Sequence, residues 1–441
     1  MVVGAGPGGS AAAYHLARRG MNVALVEKSS FPREKVCGDG LTPRAVKAVR
    51  DMGIDDGADP GFVRVNGLRV YGPRGILDLP WPDLSSWPGY GLVRTRFDFD
   101  QLLARHAQRA GATLWERTEA VAPMMDHHWV VGANVRNLEE ERELAAVGAR
   151  SAAGAEDGEA QTSGNGGSRA RPSRTGGPVR SVRARFVIAA DGASSRFAGQ
   201  VGVRRVPTRP LGIAARRYYR WRREMVPWLE AWLTLQDGPG VMPGYGWIFP
   251  VSGSVVNVGA GLLNTFKGFR DVSARQVMDV FVRGLPAEWA VEEDHADGPL
   301  KSGPLPMGFN RTPLAAPGML VVGDAGGVVN PFNGEGISYA METGQLAAEL
   351  VHEALAKGKP GLAHVYPTAL RQRYGRYYTI GNTFVRLIGN PDIMSFCTRH
   401  GLHREWLMSF LLRLMANLTD GRDGDARDRV MYVLERLAPV A

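Results

Sequence analysis

Val2-Val3-Gly4-Ala5-Gly6-Pro7-Gly8-Gly9-Ser10 opens the chain, and its reading decides the fold. Gly4, Gly6 and Gly9 have the spacing G-x-G-x-x-G. In a strand-to-helix turn Gly4 allows the tight bend, Gly6 lets a pyrophosphate approach the backbone, and Gly9 permits close packing of helix on strand. A helix is predicted from Gly9 to Gly20, and it would aim free N–H groups and its positive dipole end at the phosphate. Asn22 to Glu27, Asn-Val-Ala-Leu-Val-Glu, reads as the next strand, which completes a βαβ unit. Glu27 ends that strand about 20 residues beyond the turn, where a carboxylate accepts hydrogen bonds from an adenosine ribose and repels a 2′-phosphate, so the pattern implies FAD or NAD. Only Val2 and Val3 stand before the turn, whereas a strand usually has about five or six residues. The numbering is therefore expected to start late, with a few apolar strand residues preceding it.

The bulk numbers set bounds. A chain of 441 residues, 44% hydrophobic and 22% charged, suits one large or two joined globular domains. The net charge of +9 reflects an arginine-rich composition or attraction to an anionic membrane face or anionic cofactor. Nucleic acid is not an expected partner, because no basic helix or aromatic-basic motif occurs. Cys37 and Cys397 exclude a disulfide framework, a zinc site and a four-cysteine iron–sulfur cluster within the chain. With no signal pattern at the start of the sequence as given, the expected compartment is the cytoplasm. The best apolar run, Trp406 to Leu418, is too short to span a bilayer and is broken by Arg413.

Further along, Phe97 to Gly111 has helical spacing, and Thr113 to Trp129 reads as strand and turn. From about Glu139 to Gly177 large apolar side chains nearly vanish; this stretch reads as a disordered insertion in a β-hairpin loop, the hairpin resuming at Arg183 to Asp191. Pro210 to Gly261 reads as antiparallel strands, Gly318 to Gly323 as a buried parallel strand, Ile337 to Leu355 as a long helix, and Gly361 to Ala441 as helical.

Two stretches separate FAD from NAD. Ala189-Ala190-Asp191-Gly192-Ala193-Ser194-Ser195 and Gly323-Asp324-Ala325 each follow a predicted strand. With the opening turn, these motifs in this order resemble the p-hydroxybenzoate-hydroxylase-like group of FAD enzymes. The resemblance implies that Asp324 binds the ribityl chain, that Asp191 and Gly192 lie near the pyrophosphate, and that Arg96 contacts FAD. Pro331-Phe332-Asn333-Gly334-Glu335-Gly336-Ile337 leads into the long helix. Backbone N–H groups around Gly334, Gly336 and Ile337 would face flavin N1 and the C2 carbonyl and stabilise negative charge on reduced flavin. The expected fold class is α/β: a Rossmann-type FAD-binding domain of this kind, an antiparallel-sheet substrate domain and a helical C-terminal region. The expected boundaries are 1–60, 95–204 and 317–357 for the first, 61–94 and 205–316 for the second, and 358–441 for the third.

The fold alone does not choose the reaction. Phe31-Pro-Arg-Glu-Lys35-Val-Cys37-Gly38-Asp39-Gly40-Leu-Thr-Pro-Arg44 and Pro243-Gly-Tyr245-Gly246-Trp247-Ile-Phe249-Pro250 together resemble the geranylgeranyl reductase family, FAD enzymes that hydrogenate isoprenoid C=C bonds. The likeness is to its actinobacterial branch, which acts on one isoprene unit of the menaquinone side chain. It implies that Cys37 lies beside flavin and alkene, and that Tyr245 and Trp247 line the substrate channel. A polyprenyl tail needs a long apolar channel, which Trp247, Phe249, Trp232 and Tyr245 could line. NAD(P)H is a possible electron donor although no second dinucleotide turn is visible; a ferredoxin or a respiratory reductant is the alternative. The proton donor is left open among Cys37, Tyr245 and water. Because the substrate is lipid-soluble, peripheral contact with the anionic inner face of the cell membrane is expected, through a helix at Leu407 to Met415 flanked by Arg404 and Arg413. Two alternatives are carried. One is a monooxygenase or halogenase of the same fold, whose W-x-W-x-I-P pattern is matched only in part because Tyr245 and Phe249 depart from it. The other is a non-catalytic electron-transfer flavoprotein, whose quinone-reducing type needs a Cys-ligated cluster.

Overall fold

The computed structural model describes residues 1–72, 75–140, 177–233, 235–237, 240–242, 244–266, 268–289, 291–401, 404–421 and 424–440. Nearly all of the expected insertion at 139–177 lies outside the described residues.

The opening turn joins β1 (Val2–Val3) to α1 (Pro7–Ala17), followed by β2 (Ala24–Val26). The helix starts two residues earlier than the sequence pattern predicts, because Pro7 suits a first helical position and Gly6 serves as the N-cap. Next come β3 (Gly40–Leu41), α2 (Pro43–Asp51), β4 (Val63–Val65), β5 (Gly67–Gly72), β6 (Gly75–Pro80), β7 (Gly91–Val93) and α3 (Arg96–Arg109). Strands β8 (Thr113–Trp115), β9 (Thr118–Asp126), β10 (Trp129–Asn137), β11 (Val179–Arg183) and β12 (Val187–Ala189) precede α4 (Arg196–Gly199). Then follow β13 (Arg204–Arg205), β14 (Leu211–Arg220), β15 (Leu229–Trp232), β16 (Leu235–Asp237), β17 (Gly240–Met242), β18 (Gly244–Ser252), β19 (Val255–Leu263) and α5 (Ala274–Arg283). After β20 (Ala296–Pro306), β21 (Arg311–Thr312), β22 (Ala315–Ala316) and β23 (Met319–Val321), the chain is helical: α6 (Ile337–Ala356), α7 (Tyr366–Ile388), α8 (Pro391–Gly401), α9 (Glu405–Ala416) and α10 (Ala426–Leu437).

The first sheet has the order β22-β23-β12-β1-β2-β8, parallel except at β22. Side chains alternate between its faces. Val2, Leu25, Ile188 and Leu320 pack under α1, α6 and α7. Val3, Val187, Ala189 and Val321 pack against the antiparallel sheet β11-β10-β9. The hairpin around the insertion is formed by β10 and β11, with Arg136 opposite Val179. Its second strand is therefore 179–183 rather than 183–191. Arg180, Ser181 and Arg183 suit a solvent-facing edge, whereas Val187, Ile188 and Ala189 are apolar on both faces and enter the buried sheet.

The second sheet, β20-β14-β19-β18-β15-β5-β6, is antiparallel except between β15 and β5. One face packs on α5 through Val277, Met278, Val280 and Phe281. Register places Arg216, Tyr218, Asn257, Gly259, Trp247 and Phe249 on the other face, Trp247 opposite Gly259 and Tyr218 opposite Asn257.

The C-terminal helix expected to meet lipid does something else. In α9, Met408 and Leu412 join a core with Val65, Leu79 and Trp81. Arg413 is buried and reaches Asp425 Oδ2 at 2.9 Å. The Leu407–Met415 stretch is a packed helix, because Met408 and Leu412 join the core beside the edge strand β6 while Leu414 joins the core under the first sheet.

Candidate active site

Gly4 has φ of +96°, and an added Cβ there would meet the Ala190 carbonyl oxygen; one on Gly9 would meet the Gly4 carbonyl oxygen. Both positions therefore require glycine. Gly6 is different: its Cβ would face only Arg33 Nη2 at 3.8 Å and Arg96 Nη2 at 4.0 Å. The space before Gly6 thus lies between two guanidinium groups and the start of α1, which has no side-chain cap and no acidic residue in its first turn. That is an anion cradle, and it fits a pyrophosphate.

Glu27 is buried beside it. Its Oε2 accepts from Ala5 N at 3.1 Å and Oε1 from Ser29 N at 3.0 Å. Arg33 Nη2 also reaches Oε2, at 3.2 Å, and its Nη1 lies 2.9 Å from Asp100 Oδ2. Asp100 in turn holds Arg96 through two hydrogen bonds of 2.5 and 2.8 Å. The sequence reading found Glu27 and Arg96 but missed Arg33 and Asp100; the i,i+4 spacing of Arg96 and Asp100 was the available signal.

Asp191 comes to the turn by its backbone, its Cα lying 3.3 Å from where a Gly4 Cβ would stand. Its carboxylate instead accepts from Phe197 N at 2.8 Å, which caps α4. Burial pushes that carboxyl above its ordinary range, against the pull of the N–H groups of α4. Gly192, at φ +76°, has open space before it. Asp324 lies at the start of α6, its Oδ1 3.2 Å from a Gly336 Cβ position and its Oδ2 4.0 Å from Lys35 Nζ. No side chain caps the backbone of α6 and its first turn holds no acid, while Glu335 just before it accepts from Ser338 Oγ at 2.6 Å. Ile337 packs with Leu41, Phe99 and Met341. Helices α1 and α6 cross closely: a Cβ on Gly344 would meet the Gly8 carbonyl oxygen, and one on Gly8 would lie 3.0 Å from Ala340 O. Their N-terminal turns therefore converge on one region. These are the features a flavin dinucleotide requires.

The Cys37 loop lies on the second sheet. A Cβ on Gly38 would be 3.2 Å from Trp247 Nε1 and 3.1 Å from the Phe249 ring. Tyr245 and Trp247 have ring centroids 5.5 Å apart, and Trp247 and Phe249 6.2 Å. Tyr245 Oη donates to Asn333 O at 3.3 Å and stands 3.2 Å from a Gly334 Cβ position, so it spans to the loop before α6. Burial pushes the Tyr245 phenol up to about 12, with the Cys37 charge adding. Burial also raises the Cys37 thiol, against the pull of the Arg96 guanidinium. At neutral pH both groups carry their protons. Trp232 does not join this wall. It sits opposite Gly246, on the other face, stacked on Tyr71 at 4.2 Å. An alternation of one residue along β15 separates the two sides.

Beneath the loop lies a buried polar group that the sequence reading did not single out. Asp39 accepts from Tyr218 Oη at 2.6 Å, Asn257 Nδ2 at 2.8 Å and Arg96 N at 3.0 Å. Arg216 stacks over Tyr218 and bonds Glu34 at 2.6 Å. The signal was Asn257, a polar residue inside the apolar run Val255-Val-Asn-Val-Gly-Ala-Gly, which demands buried partners.

Comparison with known proteins agrees with this geometry. Residues 1–169 match the FAD binding domain family. The chain is 33% identical over 431 residues to menaquinone reductase of Mycobacterium tuberculosis, covering 97% of this chain and 93% of that one. It is 27% identical to digeranylgeranylglycerophospholipid reductase of Thermoplasma acidophilum, covering 85% and 84%. A solved structure with a similar fold is a geranylgeranyl bacteriochlorophyll reductase-like protein of T. acidophilum, with a TM-score of 0.70, 22% identity and coverage of 99% and 95%.

Proposed function

Because the chain belongs to the geranylgeranyl reductase family of FAD-dependent oxidoreductases, in the branch of the menaquinone reductases, we propose that it saturates one isoprene unit of a menaquinone side chain or a geranylgeranyl group. It is an FAD-dependent oxidoreductase acting on an isoprenoid C=C bond, and its substrate is lipid-soluble. The observation that carries the finer reading is the meeting of Cys37 with Tyr245 and Trp247, from two distant stretches, beside the loop that starts α6.

Bound FAD would supply a hydride. The residues proposed to hold it are Gly4, Gly6, Gly9, Glu27 and Arg96 at the dinucleotide end, with Asp191 and Gly192 contributing their backbone. Asp324, Gly334, Gly336 and Ile337 are proposed at the flavin end. Trp247 and Phe249 would press the alkene flat and keep water away, which leaves orientation to supply much of the rate. An isolated alkene has no carbonyl to take up electrons, so a proton must arrive at the other carbon. Cys37 Sγ and Tyr245 Oη both hold one, and either, or a water between them, would serve. NAD(P)H is proposed as the electron donor, approaching transiently without a second dinucleotide turn. The expected division of the chain assigns 1–60, 95–204 and 317–357 to FAD, 61–94 and 205–316 to the substrate, and 358–441 to the helical region.

The test is anaerobic incubation of the reduced protein with menaquinone, followed by mass spectrometry. Gain of two hydrogens in the side chain supports the reading; no such gain, with hydroxylated or halogenated product only once oxygen is admitted, overturns it. A Cys37→Ser variant with full activity would remove the thiol from the proton role.

Membrane contact is proposed at a different surface from the packed Leu407–Met415 helix. Val430, Val433, Leu434 and Leu437 are exposed along one face of α10 at i, i+3, i+4 and i+7. Trp406, 57% exposed, lies beside them under the Arg427 guanidinium. Exposed Arg429 and Arg436 flank the stripe, an arrangement suited to the surface of an anionic bilayer. Among the described residues no helix is long and apolar enough to cross a membrane.

A further inference from the structure

Asn257 stands at the middle of β19 with 0% exposure. Its partners fix which way the amide lies. The Trp247 indole can only donate and a backbone carbonyl can only accept. Oδ1 therefore takes the indole N–H at 3.0 Å, and Nδ2 gives one hydrogen to Cys37 O at 2.9 Å and the other to Asp39 Oδ2 at 2.8 Å. Both amide hydrogens are used. The partners come from two stretches far apart in sequence, the Cys37 loop and the β18 wall, and one side chain ties them together.

The wall has been cleared to allow this. A Cβ on Gly259, opposite Trp247, would overlap the indole ring. The ring thus lies flat on the sheet, 4% exposed, with its N–H turned to Asn257. Asp39 is held from its other sides by Tyr218 and by the backbone of Arg96, so the loop end of the link is rigid as well.

Resting on the reaction assigned above, we infer that Asn257 is a positioning residue for the reduction: it fixes the spacing between Cys37 and the Tyr245–Trp247 wall, and with it the orientation of the alkene between them. Its contacts with the reacting groups run through other residues. The inference separates it from a residue that merely stabilises the fold, whose loss lowers stability but leaves the turnover of the folded fraction intact.

The experiment uses the full chain loaded with FAD, in a Cys397→Ser background, since Cys397 is exposed and would otherwise report. Asn257→Asp keeps the volume and the bond to Trp247. It loses a donor to Cys37 O and sets a second carboxylate against Asp39. Asn257→Leu removes the link without adding charge. The groups facing Cys37 are Asp39, Arg96 and Tyr245, with Tyr218 and Arg216 behind Asp39. For both variants kcat should fall roughly ten- to a hundredfold, about 1.4–2.7 kcal/mol, since the aspartate keeps only one of the three hydrogen bonds and the leucine none. KM for the prenyl substrate and FAD occupancy should stay close to wild type. The pH profile of Cys37 alkylation by iodoacetamide should move to higher pH in Asn257→Asp, and in Asn257→Leu alkylation should quicken as the loop loosens. Should the leucine variant lose FAD, the isosteric aspartate variant decides. Wild-type kcat and a wild-type alkylation profile in a variant that holds FAD would overturn the inference, as would a fall in Tm alone. If the parent protein reduces no isoprenoid, the assigned reaction fails, while the alkylation profile still reports on the link.

Discussion

Gly6 and Gly9 are the same residue type three positions apart, and their substitution should fail in different ways. At Gly9 a methyl group has nowhere to go, so Gly9→Ala should lower the melting temperature of the protein with or without FAD. At Gly6 the methyl group points into the space between Arg33 and Arg96. Gly6→Ala should fold normally and lose FAD, as read by flavin retained after gel filtration and by thermal melting of the apoprotein. Glu27→Ala should also fold and should weaken FAD by about ten- to a hundredfold in Kd, the worth of a charge-assisted hydrogen bond or two. Part of that loss comes through Arg33, which keeps only Asp100 when Glu27 is gone. Spacing in the sequence was enough to find Glu27 and the glycines. Arg33 was not legible, since its two carboxylate partners come from β2 and α3 and meet only in the fold.

Between elements, the join that fixes α6 is a buried ion pair. Arg44 of α2 pairs with Glu342 of α6, its Nε 2.7 Å from Oε1 and its Nη2 donating to Oε2 at 2.9 Å, and its Nη1 donates to Asn417 O at 3.0 Å. Tyr374 of α7 donates to the same carboxylate. Burial would raise Glu342, but Arg44, Arg373 and Tyr374 prevail and hold it below the ordinary carboxylate range. Its contribution to stability is therefore present above the carboxylate's unfolded pKa and is lost as pH falls through the folded value. Arg44→Met should cost about 3–5 kcal/mol near neutral pH, because a buried charge is left uncompensated. In that variant burial opposes the Glu342 charge with only Arg373 and Tyr374 left to offset it, so the stability gained on raising the pH in the parent should shrink or reverse. Chemical denaturation across pH checks both slopes. The same helix carries Gly344, where leucine should push α6 off α1 and abolish flavin binding without touching the cradle residues themselves.

For the whole molecule the question is how the proposed reaction site, which is buried, meets a lipid-soluble substrate. The paired substitution Leu434→Glu and Leu437→Glu changes only exposed positions of α10. It should cut binding to anionic vesicles at least tenfold, since each side chain withdraws about 1.5 kcal/mol or more of apolar burial from the membrane. Activity on a short prenyl substrate in detergent should be unchanged. Flotation with anionic and neutral vesicles measures the first, and a mass-spectrometric assay the second. Wild-type flotation in the double variant would move the docking surface elsewhere. With a net charge of +9, the proposed binding should be salt-sensitive and weaken as ionic strength rises.

The βαβ unit was legible in the sequence because it depends on local spacing: glycines where the backbone must turn and a carboxylate at a strand end. The later FAD motifs and the two stretches proposed to choose the chemistry were read from the family resemblance, since their spacing alone fits plain core equally well. What depends on distant partners was not. The Leu407–Met415 stretch has the composition of a lipid-facing helix, yet Met408, Leu412 and Leu414 join the core. Trp232 has the composition of a channel residue, yet register turns it to the far side of the sheet. Asn257 signals a buried polar partner from inside its apolar run, but only the packing of the Cys37 loop onto β14, β18 and β19 joins it to Asp39 and Tyr218. The sequence alone determined the dinucleotide turn and offered candidates for the chemistry. The tertiary structure decided which of them meet, because burial and strand register are properties of pairs of segments and a chain read in order holds only one segment at a time.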